Sequence, residues 1–157
     1  LLDDFAAYLR YILRFSENNN VISAKEIVAF LGSYIRLEEA RYDQIRIIFE
    51  VETLHFQMEA LTLFELIYNA IHHGLGGNAP DGKVWVRIQK GKGEVIIEIE
   101  DNGKGISKEA YQKAYEEKRS LFQIKESMEN RGGSFHIDTM ENRGSTIYLV
   151  IPDTILC

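Results

Sequence analysis

Three polar side chains interrupt an otherwise apolar stretch between residues 61 and 71. Glu65, Asn69 and His72 recur at intervals of four and three positions, so they share one face of the helix that this stretch predicts. The other positions are apolar around most of the circumference, which is typical of a buried helix. Burying an unpartnered amide costs roughly 2 kcal/mol or more, so this face is expected to meet something polar or ionic, such as a metal ion with phosphate. The alternative is that the three side chains point to water or to neighbouring backbone groups.

A second candidate group ends a segment of alternating hydrophobicity. Apolar and more polar residues alternate from position 95 to position 100, which predicts a strand with one apolar face. The same parity puts Asp101 on the apolar face, where a carboxylate needs a specific hydrogen-bond donor. Gly103 and Gly105 then supply a turn that permits positive φ and close approach of a ligand to the backbone. The alternative is an ordinary turn in which Asp101 accepts hydrogen bonds from its own loop amides.

The elements that must position these groups follow from periodicity and turn residues. Ser23 and Glu26 have the spacing of a capping box, which marks a helix start. Glycines at positions 91 and 93 predict a hairpin between two strands. Helices are expected at 1–17, 23–42, 61–71, 107–117 and 119–130, and strands at 45–49, 83–90, 94–101, 134–140 and 145–151. This order predicts an α/β fold.

The first predicted helix carries a seam of apolar residues. Leu2, Phe5, Leu9 and Ile12 are spaced by three, four and three positions, as in a coiled coil. This spacing predicts that residues 1–17 pack on something outside the main core. The alternative is an amphipathic helix that faces the core, because two heptads do not distinguish the two arrangements.

Composition limits the class of protein. With 157 residues, 45% hydrophobic and 27% charged, the chain suits one globular domain with a helical extension. The formal net charge of -6 argues against a nucleic-acid platform, which relies on clustered Lys and Arg. The single cysteine, Cys157, gives no disulfide framework. No apolar run approaches the roughly 18 residues of a membrane span, and the absence of an initial methionine suggests an excised fragment.

The order and spacing of two motifs resemble a known superfamily. Glu65-Leu-Ile-Tyr-Asn69 and Asp101-Asn-Gly-Lys-Gly105 resemble the N box and G1 box of the GHKL ATPases, which include gyrase-type ATPases, Hsp90, MutL and histidine kinases. Residues 8–42 resemble the region before the N box in LytS/YesM-type sensor histidine kinases. Segments 120–128 and 144–152 fall where that group has its last helix and closing strand, so the resemblance covers nearly the whole chain.

This resemblance implies a fold and a division of the chain. The fold would be a Bergerat-type two-layer α/β sandwich, a mixed sheet with helices on one face, preceded by an N-terminal helical segment. Residues 1–20 would be the end of the dimerisation and phosphotransfer helix. Residues 21–157 would be the GHKL ATP-binding catalytic domain.

The resemblance also implies roles for individual residues. Asp101 resembles the aspartate that accepts a hydrogen bond from the adenine amino group. Asn69 resembles the asparagine whose carbonyl oxygen coordinates Mg²⁺, a hard ligand for a hard cation, with a buried structural amide as the alternative. The remaining nucleotide-binding positions on this side of the site would be the G1 glycines and the residue that packs near adenine: Gly103, Gly105 and Ile106.

Other roles are less specific to the family pattern. Glu65 stands where gyrase-like ATPases and anti-sigma-factor serine kinases carry a glutamate and many histidine kinases carry asparagine. A carboxylate there can orient or deprotonate an attacking hydroxyl or water, and a role behind the Mg²⁺ site is the alternative. His72 and His73 would lie near the phosphates, or form a surface feature at a helix end. Thr146 resembles the late threonine that supports the adenine site, or is a simple strand residue.

The largest departure from the family lies before the last helix. The family has Gly-x-Gly-Leu there, whereas this chain has Lys118-Arg-Ser-Leu121. A side chain at a position that needs positive φ costs about 1–2 kcal/mol, so the loss of both glycines would weaken nucleotide binding. Lys118 or Arg119 could instead replace the amide donors by direct charge.

Taken together, the resemblance implies an ATP- and Mg²⁺-dependent histidine protein kinase. Its partners would be ATP, a second copy in the full-length protein and a response regulator, but no nucleic acid. It would be a cytoplasmic domain of a bacterial sensor, anchored to the membrane only through segments outside this chain. The phosphoacceptor histidine would precede residue 1. Two alternatives remain: a degenerate pseudokinase that signals by dimer contacts, and a GHKL serine kinase or ATPase that uses Glu65.

Overall fold

A mixed five-stranded sheet organises the fold. The computed structural model describes residues 1–76, 79–116 and 120–152. In chain order the elements are α1 (Leu2–Phe15), β1 (Val21–Ser23), α2 (Ala24–Arg41), β2 (Arg46–Val51), β3 (Gln57–Glu59), α3 (Thr62–Asn69), a π-helical turn (Ala70–Gly74), β4 (Lys83–Lys90), β5 (Glu94–Asp101), α4 (Lys108–Glu116), α5 (Ser120–Asn130), β6 (Ser134–Met140) and β7 (Gly144–Pro152).

The large sheet combines one parallel and three antiparallel pairings. Its strand order is β2-β4-β5-β7-β6, and only the β2–β4 pairing is parallel among these strands. Helices pack on one face of this sheet, and α1 precedes them in the chain. The expected α/β fold, a mixed sheet with helices on one face after an N-terminal helix, is confirmed.

Alternation along the central strands fixes which side chains face the helices. In β4, β5 and β7 every second residue is buried, including Val84, Ile97 and Leu149. The register pairs Val84 with Asp101 and Asp101 with Ser145. The end of β5 therefore presents Asp101 on the buried face, as the sequence parity predicts.

Helix α2 begins where the capping box predicts. Ser23 adopts an extended backbone conformation, and its hydroxyl accepts a hydrogen bond from the Glu26 amide at 3.3 Å. The helix then buries Ile27, Leu31 and Ile35 against the core, which sets its orientation over the sheet.

Helix α1 has two apolar faces with different surroundings. Tyr11 and Phe15 are buried, and the Tyr11 ring stacks on Phe30 of α2 at 3.7 Å between centroids. Leu2 and Phe5 of the predicted seam remain exposed. The helix thus joins the core through Tyr11 and Phe15, with Ile12 of the seam partly buried against the same core, as in the alternative of a core-facing helix. Packing of the exposed seam on something outside the core stays a prediction.

Two short strands were not predicted. Strands β1 and β3 form an antiparallel pair of three residues each, with Ile22 opposite Met58. Three residues carry too little alternation to be recognised from a sequence pattern. The pair ties the start of α2 to the start of α3, since the Ala24 amide donates to the Phe56 carbonyl.

Candidate functional site

A cavity of about 310 Å³ lies where α3 and the π-helical turn meet the ends of β5 and β7. This volume falls within the usual range for small-molecule sites, about 300–1,000 Å³. Apolar side chains supply most of the wall, and a few polar groups converge on it. The lining residues are Leu66, Asn69, Ala70, His73, Gly74, Ile99, Asp101, Gly105, Ile106, Ala110, Leu121, Ser145 and Ile147.

Asp101 is the buried carboxylate of this cavity, with 7% of its surface exposed. The Gly103 amide donates to its Oδ1 at 2.9 Å, and the Ser145 amide also bonds to the carboxylate. Burial raises the pKa of Asp101, and the two backbone amides oppose that rise. A carboxylate has about four acceptor positions, so Asp101 can accept further hydrogen bonds from a ligand.

Two glycines allow the helical layer to approach Asp101 closely. A Cβ added to Gly74 would lie 2.9 Å from the Asp101 carboxylate carbon. A Cβ added to Gly103 would lie 2.0 Å from the Gly74 carbonyl oxygen, a distance that no side chain tolerates. The Lys104 amide donates to that same carbonyl at 3.1 Å. The end of the π-helical turn and the loop after β5 are therefore fixed against each other beside the carboxylate.

Asn69 and His73 line the cavity from the helical side. Within residues 1–76, 79–116 and 120–152, no hydrogen bond occupies the Asn69 side-chain amide. An amide at a cavity wall without a protein partner can offer its carbonyl oxygen to a ligand or a cation. No three His, Cys, Asp or Glu side chains of the described chain cluster as a metal site. A cation here would therefore need ligands from a bound molecule in addition to Asn69.

His72 turns away from the cavity and binds α2 instead. Its Nε2 lies 2.5 Å from Oε2 of Glu38, and the Tyr68 ring stacks on it at 4.2 Å. The backbone changes here from α to π, and the Leu75 amide reaches the Ala70 carbonyl five residues back. Asn69 and His72, which were expected on one face with Glu65, therefore lie in different environments.

Glu65 is half-buried but is not part of the cavity wall. Burial, followed by the nearby charge of Glu59, raises its pKa. No side-chain hydrogen bond or ion pair of Glu65 occurs in the part of the chain that the structure describes. Glu65 is thus a half-buried carboxyl group on α3, one turn before Asn69.

Of the loop glycines, Gly105 lines the cavity. Gly103 is not part of the wall, and its amide donates to Asp101. Ile106 follows on the cavity wall, and its amide donates to the Thr139 hydroxyl at 2.9 Å. Lys118 and Arg119 lie outside the described residues. Ala110 of α4 and Leu121 of α5, on either side of that gap, both reach the cavity.

Sequence reasoning chose Thr146 and missed its neighbour. Thr146 pairs with Glu100 and Asp138, on the sheet face opposite the cavity. Ser145 pairs with Asp101 and lines the cavity. The alternation of buried residues that follows Ser145 in β7 could have identified it, because that alternation fixes which hydroxyl shares the face of Asp101.

Gly74 was also missed as a site residue. Its role depends on a contact with Asp101 that no local sequence pattern contains. Gly74 ends the helix that carries the polar face, and from the sequence this position predicts only a helix terminus.

The sequence matches the model of one protein family over residues 60–155. The family is described as histidine kinase-, DNA gyrase B- and HSP90-like ATPase. The matched range contains each residue assigned above to the cavity wall.

Relatives with similar sequences include sensor proteins. An uncharacterized sensor-like histidine kinase of Chloroflexus aurantiacus is 31% identical over 121 residues, which is 75% of this chain and 19% of the relative. The sensor protein LytS of Staphylococcus saprophyticus is 28% identical over 116 residues, 72% of this chain and 20% of the relative. The protein YwpD of Bacillus subtilis is 28% identical over 112 residues, 68% of this chain and 40% of the relative. The chain thus spans between about a fifth and two fifths of these relatives.

Solved structures with the same fold include histidine kinase domains. The blue-light-activated histidine kinase EL346 of Erythrobacter litoralis aligns with a TM-score of 0.66 at 17% identity, covering 99% of this chain and 77% of that one. The catalytic domain of histidine kinase ThkA aligns with a TM-score of 0.64 at 17% identity, covering 85% and 94%. In the described ranges, every helix is too short or too polar to cross a membrane.

Proposed function

Since the chain belongs to the family of histidine kinase-, DNA gyrase B- and HSP90-like ATPases, we propose that it is the ATP-binding catalytic domain of a two-component sensor histidine kinase. In this proposal it supplies the γ-phosphoryl group to a histidine that lies upstream of residue 1. The observation that carries the proposal is Asp101, a buried carboxylate with spare acceptor capacity in a mainly apolar cavity.

The volume and the lining of the cavity support adenine as the part of the ligand that it binds. Ile99, Ile106 and Ile147 provide apolar wall for a flat aromatic ring. Asp101 accepts a hydrogen bond from an exocyclic amino group, which adenine has at the position where guanine has a carbonyl oxygen. A guanine oxygen facing Asp101 would leave two acceptors opposed and unpaired, so the site selects adenine.

Asn69 and His73 line the same cavity as Asp101, and in this proposal they meet the phosphates. The Asn69 carbonyl oxygen suits Mg²⁺, which is usually bound through one or two protein groups together with substrate phosphates. When bound, Mg²⁺ would neutralise the charge that develops on the transferred phosphoryl group. The protein contributes position: the end of α3 and the π-helical turn after it hold Asn69 and His73 on the same wall, and Asp101 would fix the other end of the nucleotide.

The acceptor and the partners of the proposed kinase lie outside this chain. The four histidines, His55, His72, His73 and His136, lack the expected acceptor context, so the isolated chain is expected to bind ATP without forming stable phosphohistidine. The onward partner would be a response regulator, as in the solved complex of ThkA with the response regulator protein TrrA. The full-length protein would act as a homodimer on the cytoplasmic side of a membrane.

Calorimetric titration of ATP with Mg²⁺ tests the proposal directly. We expect binding in the millimolar range or tighter for the parent chain and much weaker binding of GTP. Asp101→Asn should bind about tenfold to a hundredfold more weakly, because a hydrogen bond to a charged group is worth about 1.5–3 kcal/mol. Asp138→Asn is the matched control, since it removes the same charge from an exposed position of β6.

Two results would contradict the proposal. Equal ATP affinity of Asp101→Asn and the parent would show that Asp101 does not hold the nucleotide. No ATP binding by a folded parent, together with firm self-association, would favour the non-catalytic interaction module.

A further inference from the structure

Thr139 of β6 joins three segments through one hydroxyl group. Its Oγ1 accepts a hydrogen bond from the Ile106 amide at 2.9 Å and lies 2.8 Å from Oγ of Ser145. A third, longer contact of 3.4 Å reaches the Gly144 carbonyl oxygen. Thr139 is not itself among the residues of the cavity wall, but Ile106 and Ser145 both are.

The capacity of a hydroxyl group matches these contacts. A threonine hydroxyl has one proton to donate and two lone pairs that accept. The Ile106 amide uses one lone pair. If Ser145 donates into the second lone pair, Thr139 donates to the Gly144 carbonyl; if Thr139 donates to Ser145, the Ser145 proton is free for an acceptor in the cavity. The Ile106 amide is held in both arrangements.

The two tethered residues stand on different walls of the cavity. Ile106 lies in the loop that leaves β5 and leads to α4, whereas Ser145 lies on β7, and its backbone amide bonds to Asp101. Other contacts hold the same loop by its backbone: the Asn142 amide donates to the Lys104 carbonyl at 2.5 Å. The Thr139 side chain thus fixes the distance between the loop wall and the strand wall.

We propose that Thr139 is a positioning residue of the nucleotide site, which holds the Ile106 loop and the Ser145 hydroxyl in one arrangement before the ligand binds. This inference rests on the proposed function. Without the hydroxyl, the loop samples positions in which Ile106 leaves the cavity wall. The apparent affinity is then the intrinsic affinity multiplied by the fraction of molecules that keep the competent arrangement.

Three variants test this role. Thr139→Val keeps the shape of the side chain and removes the hydroxyl, and Thr139→Ser keeps the hydroxyl. The matched control is Thr53→Val, which removes a buried threonine hydroxyl that accepts from the His55 amide at 3.1 Å, at the opposite end of the sheet. If Thr139→Val does not fold, Thr139→Ala removes the same hydroxyl with less bulk.

Two measurements are made on each variant: ATP affinity by calorimetry and hydrogen exchange of the Ile106 amide in the ligand-free protein. We expect Thr139→Val to bind ATP about fivefold to tenfold more weakly, the effect of one lost hydrogen bond of about 1 kcal/mol or slightly more, and to exchange the Ile106 amide faster. Thr139→Ser should behave as the parent. Thr53→Val should keep both values while losing similar thermal stability.

The outcomes separate the two proposals. A parent that binds ATP, with Thr139→Val binding equally well or leaving Ile106 equally protected, would overturn the positioning role alone. Equal weakening in Thr53→Val would also overturn it, because the effect would then follow general stability. A folded parent without ATP affinity would overturn the proposed function and the positioning role together.

Discussion

Asp101 and Glu65 are both largely removed from water, but the groups around the two carboxyls differ. Burial raises the pKa of both Asp101 and Glu65. Backbone amides of the loop and of β7 donate to the Asp101 carboxylate and offset part of the cost of its burial. The carboxylate keeps positions that can accept further hydrogen bonds. Glu65 has the neighbouring charge of Glu59 instead, which opposes its ionisation. The first carboxylate is built into a site, whereas the second costs the fold stability when it is charged.

Glu65→Gln should therefore increase stability at neutral pH. For a carboxyl group whose folded pKa is raised, the folded state binds more protons than the unfolded state between the two pKa values. Stability consequently falls as pH rises through that window, and the full cost is present above it. Thermal unfolding at several pH values should show a higher melting temperature for Glu65→Gln near pH 7, and a vanishing difference below the ordinary glutamate pKa of 4.5.

Glu129→Gln, at an exposed position of α5, is the control and should show no comparable gain. If Glu65→Gln were less stable than the parent at neutral pH, the charged form of Glu65 would be the favoured one. Retained ATP hydrolysis in this variant would also argue against the alternative in which Glu65 activates water.

Single positions were predictable where strand parity determines them. The alternation before Asp101 predicts its buried face, and the structure agrees. The same rule applied backwards from Ile147 would have selected Ser145 over Thr146. His72 could not be placed from sequence, because its partner Glu38 lies 34 positions away and the π-helical turn changes its direction.

At the scale of elements, the π-helical turn links the cavity to α2. Such turns are rare within helices and occur frequently at functional sites. Glu38, 7% exposed, accepts from the Tyr34 hydroxyl at 2.8 Å and contacts His72 in this turn. Burial, followed by the Glu38 charge, raises the pKa of Tyr34, which keeps that hydroxyl a proton donor. The turn that carries His73 to the cavity is thus fixed from α2.

Glu38→Ala should destabilise the protein strongly, because it leaves two polar partners without an acceptor in a buried position. We expect a loss of about 2–3 kcal/mol, or a fall in melting temperature of about 5–10 °C. Glu26→Ala on the same helix removes an exposed pair with Arg14 and should cost about 1 kcal/mol or less. Similar losses in denaturant unfolding of the two variants would contradict the structural role given to Glu38.

Elements with a strong period were predictable, and short or irregular ones were not. The bounds of β4, β5 and β6 match the sequence prediction, because each strand has seven or eight residues and is flanked by glycines or turn residues. The π-helical turn escaped prediction because its residues are also compatible with an α-helix. Its wider hydrogen bonding depends on the contacts of Gly74 and His72 with other elements.

At the scale of the whole molecule, α1 belongs to the same core as the sheet layer. The Tyr11 hydroxyl donates to the Ala60 carbonyl at 2.6 Å, just before α3. Phe15 is buried beside it, at 4.7 Å between ring centroids. Packing therefore crosses the proposed boundary near residue 20, so the two proposed parts share one core.

Tyr11→Ala should test this integration. Loss of a buried aromatic side chain typically costs about 3–5 kcal/mol, and the Ala60 carbonyl would also lose its partner. Leu13→Ala, on the exposed side of the same helix, should change stability by about 0.5 kcal/mol or less. Calorimetry should show one cooperative transition that Tyr11→Ala moves as a whole. A separate early transition confined to α1 would contradict a single folding unit.

The parallel pairing of β2 with β4 bears on how fast the protein unfolds when a ligand is bound. Parallel neighbours need a crossover connection, and here the crossover carries α3 and the π-helical turn, with Asn69, His73 and Gly74. The opposite wall comes from β5 and β7, so a ligand that touches both walls fastens the crossover to the sheet centre. Contacts that are absent from the unfolding transition state slow unfolding. We therefore expect a bound nucleotide to lengthen the lifetime of the folded chain, so that cellular nucleotide levels would influence how fast proteases remove it.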